Sequence, residues 1–98
     1  MDNEMSRIFQ MPHGLTQYNN EEAIRLYNEE LTKHPDNYAA LNNRGCCKMQ
    51  VAIKKKDAAL LEEAKNDFRK AITSAIEQDA GQNYSAEANL KKADSIDL

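Results

Sequence analysis

The sequence contains little glycine, little cysteine and no long apolar run, and each shortage excludes a class of protein. Three scattered glycines cannot form a phosphate-binding loop. The only cysteines, Cys46 and Cys47, are neighbours whose side chains diverge on a helix, so they make a poor disulfide and fit a reducing compartment. No stretch approaches the ~20 continuous apolar residues of a membrane-spanning helix, and the acidic start at Met1 leads into no apolar signal segment. We therefore expect a cytoplasmic protein without membrane contact.

The chain also lacks the basic excess of a nucleic-acid-binding protein. Its net charge is -3, and the one basic run, residues 54–56, is interpreted as a solvated helix end whose cations favour the negative pole of the helix dipole. Only 6% of the residues are aromatic, which suits helices better than a sheet. A chain of 98 residues has room for one core. These features predict one α-helical domain and no nucleic-acid partner.

Apolar spacing and helix breakers predict an all-α fold of four helices. Asn19 with Glu22 can form a capping box, Asp36 or Asn37 can cap the second helix, and Asp57 can cap the third. Short connections predict antiparallel neighbours. The predicted helices cover residues 20–33, 37–55, 58–78 and 84–94, within a domain of residues 19–95.

Residues 1–18 precede these helices and are predicted to form a partly disordered arm. Pro12 and Gly14 interrupt any helix attempted there. The arm could be a frayed tail, or it could pack across the first helix.

Two segments of the chain resemble each other, residues 22–27 and residues 63–68. Each places an alanine four residues before an aromatic residue. Together with Gly45 between them, this order resembles the tetratricopeptide repeat, whose paired antiparallel helices stack into a right-handed superhelix. The residues that carry the resemblance, and that are expected to pack between helices, are Ala23, Tyr27, Pro35, Gly45, Ala64, Phe68 and Ala71.

The spacing of the repeat departs from the family pattern. Ala23 and Ala64 are 41 residues apart, whereas the family period is about 34. The extra residues predict a helical hairpin that extends beyond the usual edge of the stack. Lys48 occupies a position where the family usually has a large aromatic residue. Only about one and a half repeats are present, and about three are normally needed, so self-association or the arm could supply the missing cover.

The resemblance implies a groove that receives a peptide or helix of a partner protein. Amide side chains can hydrogen-bond to a peptide backbone, and methionine offers an adaptable apolar contact. The same residues could equally be ordinary exposed helix residues. The expected partner-binding residues are Asn42, Asn43, Cys46, Met49, Gln50 and Asn89.

No set of residues in the sequence predicts an enzyme, a metal site or a cofactor. His13 and His34 lack cysteine or carboxylate residues at metal-ligand spacing. Cys46 and Cys47 have no plausibly placed histidine base, and a buried thiol is usually inert. The chain is therefore expected to be a non-enzymatic adaptor or co-chaperone-like module.

Two other functions remain open at this point. A short acidic domain is suited to blocking one basic partner, as a dedicated inhibitor or immunity-type protein does. The incomplete array would also suit a self-assembling structural subunit, for example a homodimer.

Overall fold

The computed structural model describes residues 20 to 98, and these residues form four α-helices without any strand. The helices are α1 (Asn20–Lys33), α2 (Tyr38–Lys55), α3 (Ala58–Glu77) and α4 (Tyr84–Asp94). The all-α class is thereby confirmed, and each predicted helix bound lies within one residue of the observed one. The arm predicted for residues 1–18 and the cap predicted at Asn19 lie outside the described residues.

Side-chain caps begin three of the four helices. Asn37, and not Asp36, caps α2 and accepts a hydrogen bond from the amide of Ala40 at 3.1 Å. Asp57 caps α3 through the amide of Leu60 at 3.0 Å. The same geometry starts α4, where Asn83 accepts from the third amide of the helix at 3.1 Å. Each cap satisfies a donor that the helix itself leaves without a partner.

A two-residue turn joins α2 to α3 and reverses the chain. Lys56 adopts a left-handed conformation with φ 54°. The amide of Asp57 then donates to the carbonyl of Ala52 at 2.9 Å, which is the hydrogen bond of a Schellman helix end. The helical hairpin predicted from the repeat spacing therefore ends in a tight turn between two long helices.

Cross-helix contacts establish the direction of each neighbour. Between α2 and α3, Lys48 bonds to Glu63 and the earlier residue Arg44 bonds to the later residue Asp67, so the two helices are antiparallel. Between α1 and α2, Lys55 reaches Glu21 and Arg44 reaches Asn28, which is again antiparallel. In contrast, α4 runs parallel to α2, since hydrogen bonds join residue 42 to residue 85 and residue 46 to residue 89.

The core follows the apolar stripes and contains six of the seven residues that carry the repeat resemblance. One cluster joins α1 and α2 around Tyr27, and a second joins α2, α3 and α4 around Phe68. Gly45 allows α2 to approach the Phe68 ring closely, because a Cβ added at position 45 would lie 2.6 Å from Cε1 of that ring. Pro35 is the exception, exposed in the α1–α2 connection. The buried members are Ala23, Tyr27, Gly45, Ala64, Phe68 and Ala71.

Candidate functional site

Three of the predicted partner-binding residues meet where α4 lies beside α2. The side-chain amide of Asn89 donates to Oδ1 of Asn42 at 3.0 Å and contacts Sγ of Cys46 at 3.2 Å. Asn42 in turn donates to the hydroxyl of Ser85 at 3.2 Å. We call these four residues the amide seam. All but the exposed Ser85 are partly buried, so α4 itself uses much of their hydrogen-bonding capacity.

The other three predicted residues all lie on α2 and differ in how deeply their side chains are buried. Asn43 is partly buried and its side chain hydrogen-bonds to Tyr27, which ties it to α1. Met49 is 2% exposed and packs in the core beside Phe68, so its side chain does not lie on the surface. Gln50 is partly exposed, and its side chain hydrogen-bonds to no other residue between 20 and 98.

One stripe of α2 next to the seam stays partly open to solvent. Asn43, Cys46 and Gln50 follow one another at spacings of three and four residues, which places them on the same side of a helix. The stripe offers amide donors and acceptors with one polarizable sulfur among them. Chemically, it is suited to hydrogen bonding and not to proton transfer.

Burial controls the chemistry of the two thiols. It raises the pKa of Cys46 to about 11, although the nearby Lys92 cation opposes this effect. Burial, helped by the charge of Cys46, raises the pKa of Cys47 to about 12. Burial similarly raises the pKa of Tyr27, with the hydrogen bond from Asn43 opposing it. Because only the thiolate is a strong nucleophile, these cysteines are held in their unreactive form near neutral pH.

We expect both cysteines to react slowly with a thiol reagent while the protein is folded. With a pKa of about 11, only about one Cys46 thiol in a thousand is ionised at pH 8. Disulfide exchange with Ellman's reagent at pH 8 should therefore run about a hundredfold more slowly in native protein than in urea-unfolded protein. The pKa values of both thiols are higher in the folded state than in the unfolded state. Their contribution to the free energy of unfolding is therefore present below pH 9 and is lost as the pH rises towards 11 and 12. Equal rates for native and unfolded protein would contradict the assignment, and Cys46→Ser separates the two thiols.

A buried ionic cluster, which sequence reasoning did not single out as a unit, joins α2 to α3. The guanidinium of Arg44 donates two parallel hydrogen bonds to the carboxylate of Asp67, from Nε to Oδ2 at 2.9 Å and from Nη2 to Oδ1 at 2.7 Å. Lys48 lies 3.6 Å from the same carboxylate and 3.1 Å from Glu63. The side chain of Asp67 is only 8% exposed and that of Lys48 only 12%. Two cations therefore share one buried carboxylate.

The sequence did contain a signal for this cluster. Arg44 and Lys48 are four residues apart on one helix, and Glu63 and Asp67 are four residues apart on the next. Side chains at this spacing lie on one face of a helix. Paired cations on one helix and paired carboxylates on its antiparallel neighbour are complementary once the turn is placed near residues 56 and 57. Lys48 forms ion pairs at a position where the tetratricopeptide resemblance would predict a large aromatic residue.

A groove of about 340 Å³ opens beside this cluster, between α1, α2 and α3. Its accessible lining is mainly polar, with cations, an amide and a hydroxyl, and the leucines beneath it are almost buried. The residues that line it are Asn28, Leu31, Thr32, Pro35, Leu41, Arg44 and Lys70.

The described residues contain no arrangement that predicts metal binding. No group of three or more His, Cys, Asp or Glu side chains comes together between residues 20 and 98. His34 contacts Glu30 at 3.0 Å at the exposed end of α1, and His13 lies outside the described residues.

Comparisons with known proteins do not extend these observations. The chain matches no protein-family model, no curated protein and no solved structure. Among residues 20 to 98, no helix combines the length and the apolar character needed to cross a bilayer. The proposals that follow therefore rest on the residues and contacts of this chain and on its resemblance to the tetratricopeptide repeat.

Proposed function

We propose that the chain is a protein-interaction module that binds a peptide or helix of another protein along the Asn43–Cys46–Gln50 stripe of α2. The observation that carries the proposal is the partly open, amide-rich surface beside the amide seam, at the parallel contact of α2 with α4. Amides on a rigid helix can satisfy the backbone N–H and C=O groups of an extended segment. The cytoplasm is the expected location.

The helix directions support a repeat-like arrangement as part of this proposal. Antiparallel contacts of α1 with α2 and of α2 with α3, followed by α4 parallel to α2, match a tetratricopeptide array in which α1 ends one hairpin, α2 and α3 form the next, and α4 begins a third. In such an array the first helices of successive hairpins line the binding groove. Here α2 and α4 take that position, and their shared amide seam stiffens it.

Gln50 offers the sharpest test, because its side chain makes no hydrogen bond within residues 20–98 and can be changed without removing a core contact. Affinity capture from the native host with mass spectrometry should compare the wild type, Gln50→Arg and a matched control, Gln82→Arg, in the exposed α3–α4 connection. We expect at least one protein to bind the wild type and the control but to bind Gln50→Arg about tenfold more weakly, a difference of about 1.4 kcal/mol.

The outcomes of the same experiment separate the functions that the sequence left open. Several clients with a shared extended segment would support an adaptor, whereas one tightly bound basic enzyme would support an inhibitor. If every captured protein binds Gln50→Arg and the wild type equally, the α2 surface is not the binding site and the proposal fails. A concentration-dependent dimer in analytical ultracentrifugation that Gln50→Arg disrupts would instead identify a second copy as the partner.

A further inference from the structure

The groove between α1, α2 and α3 lies away from the proposed α2 surface and has the features of a separate ligand site. Its floor consists of the buried side chains of Leu31 and Leu41, and Pro35 forms part of the rim. Its volume of about 340 Å³ falls at the lower end of the range for ligand-binding clefts. No residue from 20 to 98 fills it.

Arg44 is held rigidly at the edge of this groove with hydrogen-bonding capacity to spare. Asp67 takes two of its N–H groups, and Oδ1 of Asn28 accepts a third at 2.9 Å. A guanidinium has five N–H groups, so two remain available. The Arg44 side chain is 20% exposed and lines the groove, and its fixed geometry lowers the entropic cost of binding a further acceptor.

Lys70 supplies a second cation from α3. It is exposed and lines the groove, and its side chain forms no ion pair or hydrogen bond with any other residue between 20 and 98. No carboxylate lines the groove. The groove and the ionic cluster behind it together contain three cations and two carboxylates, which are Arg44, Lys48, Lys70, Glu63 and Asp67. This region therefore carries about one excess positive charge, although the net charge of the chain is -3.

The charge and the hydrogen-bond donors of the lining define the chemistry of the occupant. One excess positive charge matches a monoanion, because Asp67 already neutralises much of Arg44. The accessible lining is mainly polar, and its guanidinium and ammonium donors suit a carboxylate. We infer that this groove binds an acidic peptide segment of a partner protein, with a Glu or Asp side chain between Arg44 and Lys70. The inference does not rest on the function proposed for the α2 surface.

A matched pair of small peptides tests the inference on the full chain. Acetyl-Leu-Glu-amide and acetyl-Leu-Gln-amide differ only in the charge of one side chain, and two-dimensional NMR can follow the backbone amide signals of Thr32, Leu41 and Lys70. We expect saturable shifts with the Glu peptide, little response to the Gln peptide, and weaker binding at higher salt. Lys70→Gln should weaken the Glu peptide by about threefold to fivefold, whereas Lys54→Gln, an exposed lysine elsewhere on α2, should not.

Each contrary result removes a different part of the inference. Equal binding of the two peptides, or unchanged binding by Lys70→Gln, would overturn the carboxylate assignment. Tighter binding of inorganic phosphate than of the Glu peptide would identify a phosphate site instead. Gln50→Arg serves as a further control, because a change at the α2 surface should leave this titration unaltered, whatever its effect on captured partners.

Discussion

Replacing Asp67 by Asn is expected to lower the free energy of unfolding by about 3 kcal/mol, because it leaves two buried cations without their shared counter-charge. Arg44 and Lys48 both lie within 4 Å of this carboxylate, and their side chains are 20% and 12% exposed. Asn is close to Asp in volume, so the change isolates the charge. Urea denaturation followed by far-UV circular dichroism measures the loss, which is well defined for a small two-state domain.

Two further variants separate the ionic interaction from simple packing. Glu63→Gln removes a carboxylate of the same cluster that is 59% exposed, and should cost less than about 1 kcal/mol. Arg44→Met combined with Lys48→Met and Asp67→Leu replaces the charges with apolar groups and should recover most of the stability, since buried ion pairs are often replaced at little cost. A loss below about 1 kcal/mol for Asp67→Asn would mean that water screens the cluster and that it does not hold α2 against α3.

Truncation of Phe68 to Ala is expected to lower the free energy of unfolding by about 3–5 kcal/mol, the usual cost of emptying an aromatic site in a core. Phe68 is completely buried and packs in the cluster that joins α2, α3 and α4. Calorimetry or urea denaturation would measure the change. A loss below about 2 kcal/mol would show that the neighbouring helices collapse into the space.

A substitution at Gly45 tests the same contact from the other side. Gly45→Ala should lower the free energy of unfolding of the wild type but raise that of the Phe68→Ala variant. In the wild type the new Cβ would lie 2.6 Å from the Phe68 ring. The resulting overpacking costs about 1–3 kcal/mol, against a gain in helix propensity of about 1 kcal/mol. In the Phe68→Ala background the ring is absent, so Gly45→Ala should stabilise the protein. The same sign in both backgrounds would show that Gly45 is not required by the ring, and a double-mutant cycle measures the coupling.

Local structure was predictable because its causes are local. Asn37 and Asp57 satisfy amides three residues along the chain, and Pro35 stops a helix wherever it stands. The stripe of apolar residues along α3 likewise predicted its buried side, including Phe68. The repeat resemblance predicted that Gly45 and Phe68 both pack between helices, and the structure adds that they lie against each other.

Met49 shows where such reasoning stopped. The family resemblance placed it in the partner-binding groove, although it lies four residues after Gly45 on α2. It is buried in the structure, in a cluster that includes Ala93 of α4. Periodicity identifies a face of one helix, but the approach of a neighbouring helix decides how wide the buried face becomes.

By itself, therefore, the sequence determined the four helices and the cap at Asp57, since these depend on residues a few positions apart. Only the tertiary structure decided which polar residues meet. The bidentate grip of Arg44 on Asp67 and the contact of Asn42 with Asn89 join residues 23 and 47 positions apart. Their hydrogen bonds require the register and direction of packed helices to be fixed, and helical periodicity leaves both undetermined. The groove beside Arg44 likewise exists only because three helices pack together.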